Sequence, residues 1–195
     1  MIEKHIPGFL DLLYQPDVAK LTNIEEIRDA FHTNQILSKN TASDAFDTIA
    51  LDATEVLYIG SWFGFLTHHL AEQHPNVNFT EIDLDMRCNI ISQKFNYMLN
   101  NYRGHHTADI NSFDRQDNYD TIINLSCEHM DTQWFDRIKP GTKMVLQSNN
   151  LLIDDHVNNC KSLDEFKFKY PFTNLKYGRT LKLNVMERYT IAGIK

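Results

Sequence analysis

Apolar residues along the chain follow two alternating patterns, short continuous runs and longer segments with helical spacing. EVLYI, from Glu55, is a short apolar run that ends abruptly at Gly60. The next segment, GFLTHHLAEQH, carries its apolar residues three and four positions apart, which predicts a helix. NFTEID then predicts a second strand, and MRCNIISQKFNYML predicts a second helix. We therefore expect strands and helices to alternate from about residue 50 onward.

The alternation continues and then stops near the C-terminus. After Tyr102 to Gly104, which we expect to end the second helix, HHTAD and YDTIINLS predict two strands. MDTQWFDRI predicts a short helix, TKMVLQS a fifth strand, and Ser162 with Glu165 the capped start of another helix. LKYGRTLKLNV and ERYTIAGIK are two strand-like runs with no helix between them. This order predicts an α/β fold, a doubly wound and mostly parallel sheet with an antiparallel C-terminal hairpin.

Residues 1–50 differ from the rest because their pattern is helical and amphipathic. Thr22 and Glu25 are the expected capping box of one helix, and QILSKNTASDAFDTIAL predicts the next. We expect residues 1–50 to form an N-terminal helical cover on an α/β domain of residues 51–195, the two making one compact domain.

Composition and charge narrow the class of partner. The chain has 195 residues, of which 42% are hydrophobic and 23% charged, as in an ordinary globular domain that buries its own core. Its 19 basic and 26 acidic side chains give a formal net charge of −7, which disfavours bulk nucleic acid and anionic membranes. We expect a small-molecule or protein substrate, and the oligomeric state stays open.

Cysteine and histidine spacing gives no metal motif. The 3 cysteines form no C-x-x-C pair, and the 9 histidines include no H-E-x-x-H motif, so we expect neither a disulfide framework nor a metal site. The N-terminal segment lacks a signal-peptide pattern, and no apolar run approaches the ~20 residues that cross a bilayer. A cytoplasmic location is therefore expected.

The segment EVLYIGSWFGFLTHHLA carries the strongest chemical signal, because a buried strand runs through a glycine-containing turn directly into a helix. Gly60 and Gly64 allow a tight turn and the close approach of a ligand to helix N–H groups. Asp83 ends the second strand, where a carboxylate can accept ribose hydroxyls. Asp109 follows the third strand. The order of these elements predicts a nucleotide-like cofactor.

These motifs resemble those of the class I S-adenosylmethionine (SAM)-dependent methyltransferases. VLYIGSWFGFLT is similar to their glycine-rich first motif, EIDLD to the acidic second motif, and TADI to the segment that usually contacts adenine. YDTIINLS and IKPGTKMVLQS match the strands that follow, and the resemblance covers roughly residues 50–195. It implies a Rossmann-like fold with SAM as cofactor. The implied cofactor-binding residues are Gly60, Ser61, Trp62, Gly64, Asp83, Leu84, Asp109, Ile110 and Asn124.

Two positions depart from the family pattern. Tyr58 stands where an acidic residue usually contacts the methionine amine, and Trp62 stands where a second glycine is usual. A bulky residue at positive φ costs about 1–2 kcal/mol, so we expect this loop to take a different path. A degenerate cofactor site is one alternative. A dinucleotide such as NAD is another, although the G-x-G-x-x-G spacing is absent.

Polar residues follow the fourth and fifth strands, where the reaction of such a fold takes place. Glu128 or His129 could act as a general base, and Asn149 and His156 follow the next strand. Helix caps, turns and a surface histidine are the structural alternative. On the predicted N-terminal helix, Gln35, Ser38 and Lys39 are expected on a solvated face, with a lid over the cofactor as the alternative. The other seven histidines are expected to be structural or solvated.

The sequence therefore predicts an enzyme that transfers a methyl group from SAM to a small-molecule or protein acceptor, with Glu128, His129, His156 and Asn149 as the catalytic candidates. Another reaction on SAM, either alkyl transfer or cleavage, is one alternative. A binding module that has lost the cofactor is the other.

Overall fold

The computed structural model describes residues 1–195 and contains one seven-stranded sheet. The strands are β1 Glu55–Ile59, β2 Asn78–Asp83, β3 Tyr102–Thr107, β4 Thr121–Asn124, β5 Lys143–Asn149, β6 Asn174–Lys182 and β7 Glu187–Ile194. They lie in the order β3-β2-β1-β4-β5-β7-β6. The strands β1 to β5 pair in parallel, and β7 is antiparallel to both of its neighbours. The predicted Rossmann-like sheet and its C-terminal hairpin are confirmed.

Eight α-helices surround the sheet. They are α1 Ile6–Leu13, α2 Pro16–Ala19, α3 Ile24–Ala30, α4 Thr33–Asp47, α5 Phe65–Gln73, α6 Met86–Asn96, α7 Gln133–Arg137 and α8 Leu163–Lys169. A short 3-10 helix, Cys127–His129, follows β4. None of the helices has the length and apolar character that a membrane crossing requires.

Alternating side chains of β1 supply two cores, one on each face of the sheet. Val56 and Tyr58 belong to a cluster shared with the N-terminal helices, whereas Leu57 and Ile59 belong to a second cluster on the other face. Such two-sided burial explains why the strand reads as a continuous apolar run. On the first face, α4 contacts β5 and β7, and the Gln147 side-chain amide donates to the Ser38 carbonyl at 2.8 Å.

Three local predictions are wrong. Asn23, not Thr22, caps α3, and its capping box is completed by Glu26. The strand β3 begins at Tyr102, a residue we had expected to end the preceding helix. The predicted helix from Gln35 to Leu51 ends at Asp47 and is followed by a separate 3-10 turn, Ala50–Asp52. The Ser162 cap of α8 is confirmed, since its hydroxyl accepts from the Glu165 N–H.

Candidate active site

A cavity of about 810 Å³ opens at the carboxyl ends of β1, β2 and β4. This is the edge of an open α/β sheet where ligands bind, and the volume suits a cofactor together with a small acceptor. Its lining includes nine of the predicted site residues, namely Gly60, Ser61, Trp62, Asp83, Leu84, Asp109, Ile110, Glu128 and His129. The predicted residues that do not line it are Gly64, Asn124, Asn149 and His156.

The loop after β1 contains residues with positive φ, one of them a tryptophan. Gly60 has φ +65° and Trp62 has φ +53°, so both lie in the left-handed region. Trp62 thus adopts the positive φ that a bulky residue usually avoids, and the expectation that the loop takes a different path from the family pattern stays a prediction. The Trp62 N–H donates to Asp83 Oδ2 at 2.9 Å, which fixes the loop to the end of β2 and offsets part of the strain that a bulky residue carries there.

Asp83 is held in place by backbone groups and keeps capacity for a ligand. Oδ2 accepts from the Trp62 N–H and Oδ1 accepts from the Asp85 N–H at 3.0 Å. Each carboxylate oxygen has further lone pairs, so both can accept ligand hydroxyls. The Ser61 hydroxyl, buried in the same lining, has no hydrogen-bond partner of its own.

Gly64 serves packing rather than the cavity. It has φ +68°, and a Cβ there would lie 1.8 Å from Ser92 Oγ and 2.8 Å from Glu81 Oε1. Glu81 is a buried carboxyl that accepts from the hydroxyls of Ser92 and Tyr102. Burial raises its pKa to about 7. The first turn of α5 therefore packs against this polar network behind the loop.

Lys39 is a buried cation in the cavity lining, not part of a solvated face. Its residue is 6% exposed, and Nζ donates to Gln35 Oε1 at 3.2 Å and lies 5.5 Å from the centroid of the Trp62 ring. Burial, with the nearby charge of Arg188, lowers the Lys39 pKa to about 7. Ser38 is buried as well, so the prediction of a solvated helix face is wrong for both residues.

A buried ion pair lies at the base of the loop after β4. Arg188 Nη1 lies 3.2 Å from Glu128 Oε1, and the two side chains are 9% and 3% exposed. The Asn149 amide donates to the same oxygen at 2.6 Å, and Arg188 also donates to Gln147 Oε1 and to the Leu125 carbonyl. Asn149 thus positions Glu128 from behind the cavity.

Glu128, His129 and His156 form a second group, which we call the strand-end cluster. The rings of His129 and His156 meet edge to face with centroids 4.6 Å apart. One nitrogen of each ring and one oxygen of Glu128 all lie within 4.8 Å of one another. Asn124 is not part of this cluster. Its Nδ2 donates to Met130 Sδ, and its Oδ1 accepts from the Ser126 N–H. The fold therefore unites residues from the loops after β4 and β5.

Three histidines and a glutamate form another group, which we call the N-terminal histidine cluster. Its members are His5, His68, His69 and Glu72. His68 and His69 are neighbours in sequence. Their rings both contact His5, with centroid distances of 4.8 Å and 5.3 Å. His5 Nε2 and His69 Nδ1 share a hydrogen bond of 3.1 Å, and Lys4 pairs with Glu72 at 2.9 Å.

Sequence reasoning missed Arg188 entirely. Arg188 lies in the apolar run of β7 and pairs with a glutamate 60 positions away. The available signal was an arginine inside a strand that is otherwise buried, since such a charge requires a partner.

All three cysteines are free and buried, and burial raises the pKa of the Cys127 thiol well above its ordinary value.

Solved methyltransferase structures share this fold. Magnesium protoporphyrin IX methyltransferase (ChlM) from Synechocystis PCC 6803, solved with bound SAM, gives a TM-score of 0.63 at 14% identity over 89% of this chain and 85% of that chain. The N-methyltransferase NodS from Bradyrhizobium japonicum WM9, in complex with S-adenosyl-L-homocysteine, gives 0.67 at 14% identity over 91% of this chain and 96% of that chain. No protein-family model and no curated protein matches the sequence. The chain therefore has the fold of class I SAM-dependent methyltransferases.

Proposed function

We propose that this chain is a SAM-dependent methyltransferase acting on a small-molecule or protein acceptor. The observation that carries the proposal is a cavity of about 810 Å³ whose lining joins the left-handed Gly60–Trp62 loop to two strand-end carboxylates, Asp83 and Asp109. The fold of methyltransferases solved with SAM or its product supports the same reading. When bound, SAM supplies an electrophilic methyl group.

The residues of the cavity suit this cofactor. Asp83 has acceptor capacity for ribose hydroxyls, and Leu84 and Ile110 add apolar surface for a base. Lys39 is a buried amine to which a ligand carboxylate would supply a countercharge. Tyr58 lines the cavity at the position of the usual acidic residue, and burial, with the negative charge of Glu81, raises its pKa, so it stays a neutral phenol.

The strand-end cluster is the proposed acceptor side. Glu128 and His129 reach the lining from the loop after β4. Asn149, the last residue of β5, contacts Glu128, and His156, in the loop after β5, contacts His129. We infer that these residues orient the acceptor and accept the proton that it loses.

The net charge of −7 favours a small molecule or a protein side chain over bulk nucleic acid as the acceptor. The free cysteines are consistent with a reducing cytoplasm.

Calorimetric titration with SAM, its demethylated product and NAD tests the cofactor. We expect Asp83→Ala to weaken SAM binding by about 100-fold, because two hydrogen bonds to a carboxylate are lost. Asp83→Asn, which keeps an oxygen for the Trp62 N–H, separates loop disturbance from lost ligand contacts. Asp85→Ala is the matched control, since Asp85 caps α6 outside the lining. Binding of NAD, with no binding of SAM or its product, would overturn the proposal.

Product analysis tests the reaction. Methyl transfer yields S-adenosylhomocysteine, whereas methylthioadenosine would indicate alkyl transfer or cleavage. Failure of the wild-type chain to bind either SAM or its product at millimolar concentration would indicate a binding module instead. Within the proposal, His129→Ala spares SAM binding and lowers turnover by about 100-fold or more. Unchanged turnover would remove His129 from the acceptor side.

A further inference from the structure

We propose that the strand-end cluster binds a divalent first-row transition-metal ion at the wall of the cavity. Glu128, His129 and His156 together offer one carboxylate oxygen and two imidazole nitrogens within 4.8 Å of one another. Two of the three, Glu128 and His129, also line the cavity. Such a site goes beyond methyl transfer, since cation binding requires neither SAM nor an acceptor.

Both histidine rings are held in the tautomer that a metal ligand requires. His129 Nδ1 lies 3.2 Å from the Asp155 carbonyl, and His156 Nδ1 lies 2.7 Å from the Leu151 carbonyl. Because a carbonyl oxygen only accepts, each Nδ1 carries the proton of the bond. Nε2 is therefore the ring nitrogen left for a ligand in each case. Backbone carbonyls that fix a ring in this way are the usual outer contacts of metal-binding histidines.

Glu128 has one buried carboxylate oxygen without a hydrogen-bond partner. The residue is 2% exposed, and its Oε1 is occupied by Asn149 and Arg188. Its Oε2 is buried and has no hydrogen-bond partner. An unpartnered carboxylate oxygen costs free energy unless something satisfies it. Arg188 holds one oxygen in place, and a cation in the cluster would satisfy the other.

The ligand set selects the metal. In a tetrahedral site with bonds of about 2.1 Å, the ligand atoms lie about 3.4 Å apart. The ligand atoms of this cluster lie within 4.8 Å of one another, so a modest side-chain shift would bring them to that distance. His129 is exposed and free to make that shift. Two imidazoles and one carboxylate favour Zn²⁺ or Co²⁺ over Mg²⁺ and Ca²⁺, which prefer oxygen ligands. Three protein ligands leave a position open to an oxygen of the acceptor, a hydroxyl or a carboxylate.

The N-terminal histidine cluster is the competing site and serves as an internal control. His5, His68 and Glu72 also place ligand atoms within 4.8 Å of one another. There, however, the Lys4 ammonium lies 2.9 Å from the Glu72 carboxylate, and His5 Nε2 is engaged by His69. A cation bound through His5 Nε2 would have to displace His69 from that nitrogen.

The test is a titration of the chelator-treated full chain with Co²⁺, followed by visible d–d absorption, and with Zn²⁺ and Mg²⁺ by calorimetry. No cofactor is present, so the result is independent of the methyltransferase proposal. We expect one Co²⁺ or Zn²⁺ per chain, with Mg²⁺ much weaker. We also expect at least about 100-fold weaker binding in His129→Ala and in His156→Ala, and unchanged binding in Glu72→Gln.

Three results would overturn the site. They are no Co²⁺ or Zn²⁺ binding by the wild-type chain, binding that survives both histidine substitutions, and binding that Glu72→Gln removes. His129 is exposed, so its truncation leaves the fold intact, and circular dichroism verifies this for each variant.

Discussion

The N-terminal histidine cluster and the strand-end cluster contain the same residue types, histidines around one glutamate, but the fold gives them opposite properties. In the N-terminal cluster the groups satisfy one another. His5 bonds to His69, His68 stacks on Phe95 with centroids 4.2 Å apart, and Glu72 pairs with Lys4 at the surface. In the strand-end cluster the ring N–H groups point at backbone carbonyls, and Glu128 Oε2 has no partner.

The difference shows that residue identity and proximity do not by themselves decide whether a cluster keeps free hydrogen-bonding capacity. What distinguishes the two clusters is where the remaining hydrogen-bonding capacity lies. Burial lowers the pKa of both His5 and His69 to about 4, so these rings stay neutral and act as packed core side chains. Glu128 and His129 instead keep lone pairs at the edge of a cavity.

The largest expected loss of stability comes from replacing Arg188, the buried partner of the Glu128 carboxylate. Arg188→Met leaves the Glu128 carboxylate buried and unpaired, so we expect the free energy of unfolding to fall by about 3–5 kcal/mol in urea titrations. Lys4→Met is the matched control, because Lys4 and Glu72 form a half-exposed pair. Its loss should be below about 1 kcal/mol. Equal losses would mean that burial does not separate the two carboxylates.

A smaller effect is expected from His5→Ala. The substitution removes a buried ring and its bond to His69, so we expect a loss of about 3 kcal/mol in stability with SAM affinity unchanged. His129→Ala should lower turnover instead, with SAM affinity unchanged and stability within about 0.5 kcal/mol of wild type. Urea unfolding and calorimetry on both variants check this. A His5→Ala chain of wild-type stability would contradict the structural role.

The smallest effect is a change in acid sensitivity. The pKa values of His5 and His69 are lower in the folded chain than in the unfolded chain, so the unfolded state binds more protons between about pH 6.5 and 4. Their contribution to stability is present above that range and is lost as the pH falls through it. His5→Phe removes one titrating ring, so its urea midpoint should fall less than that of wild type between pH 7 and pH 5. Parallel falls would contradict the shifted pKa of His5.

Much of the fold is predictable because strands such as EVLYI are buried on both faces and read as continuous apolar runs. The start of β3 was missed for the opposite reason. This edge strand is largely half-exposed, so Tyr102 to Gly104 carry no apolar pattern. The cavity lining was predictable only where its residues end a strand or lie within a few positions of its end, as Asp83 and Glu128 do.

The rest of the site depends on contacts between distant segments. Lys39 lies on a helix covered on several sides, and nothing in its local sequence marks the cavity that buries it. His156 approaches His129 across 27 positions, from a loop whose length and composition do not fix its path. Trp62 shows a third limit. Its hydrogen bond to Asp83 favours a backbone conformation that the local propensity disfavours.

The hydrogen bond from Gln147 to the Ser38 carbonyl has a kinetic consequence. Because it is buried, it fastens α4 to the sheet as a fixed wall of the cavity rather than a hinged cover. Leu84 and Val157 line the same cavity and are 72% and 71% exposed, so the cavity reaches solvent beside the loops after β2 and β5. We therefore expect ligand exchange to follow the nanosecond-to-microsecond motions of these loops and not the detachment of α4.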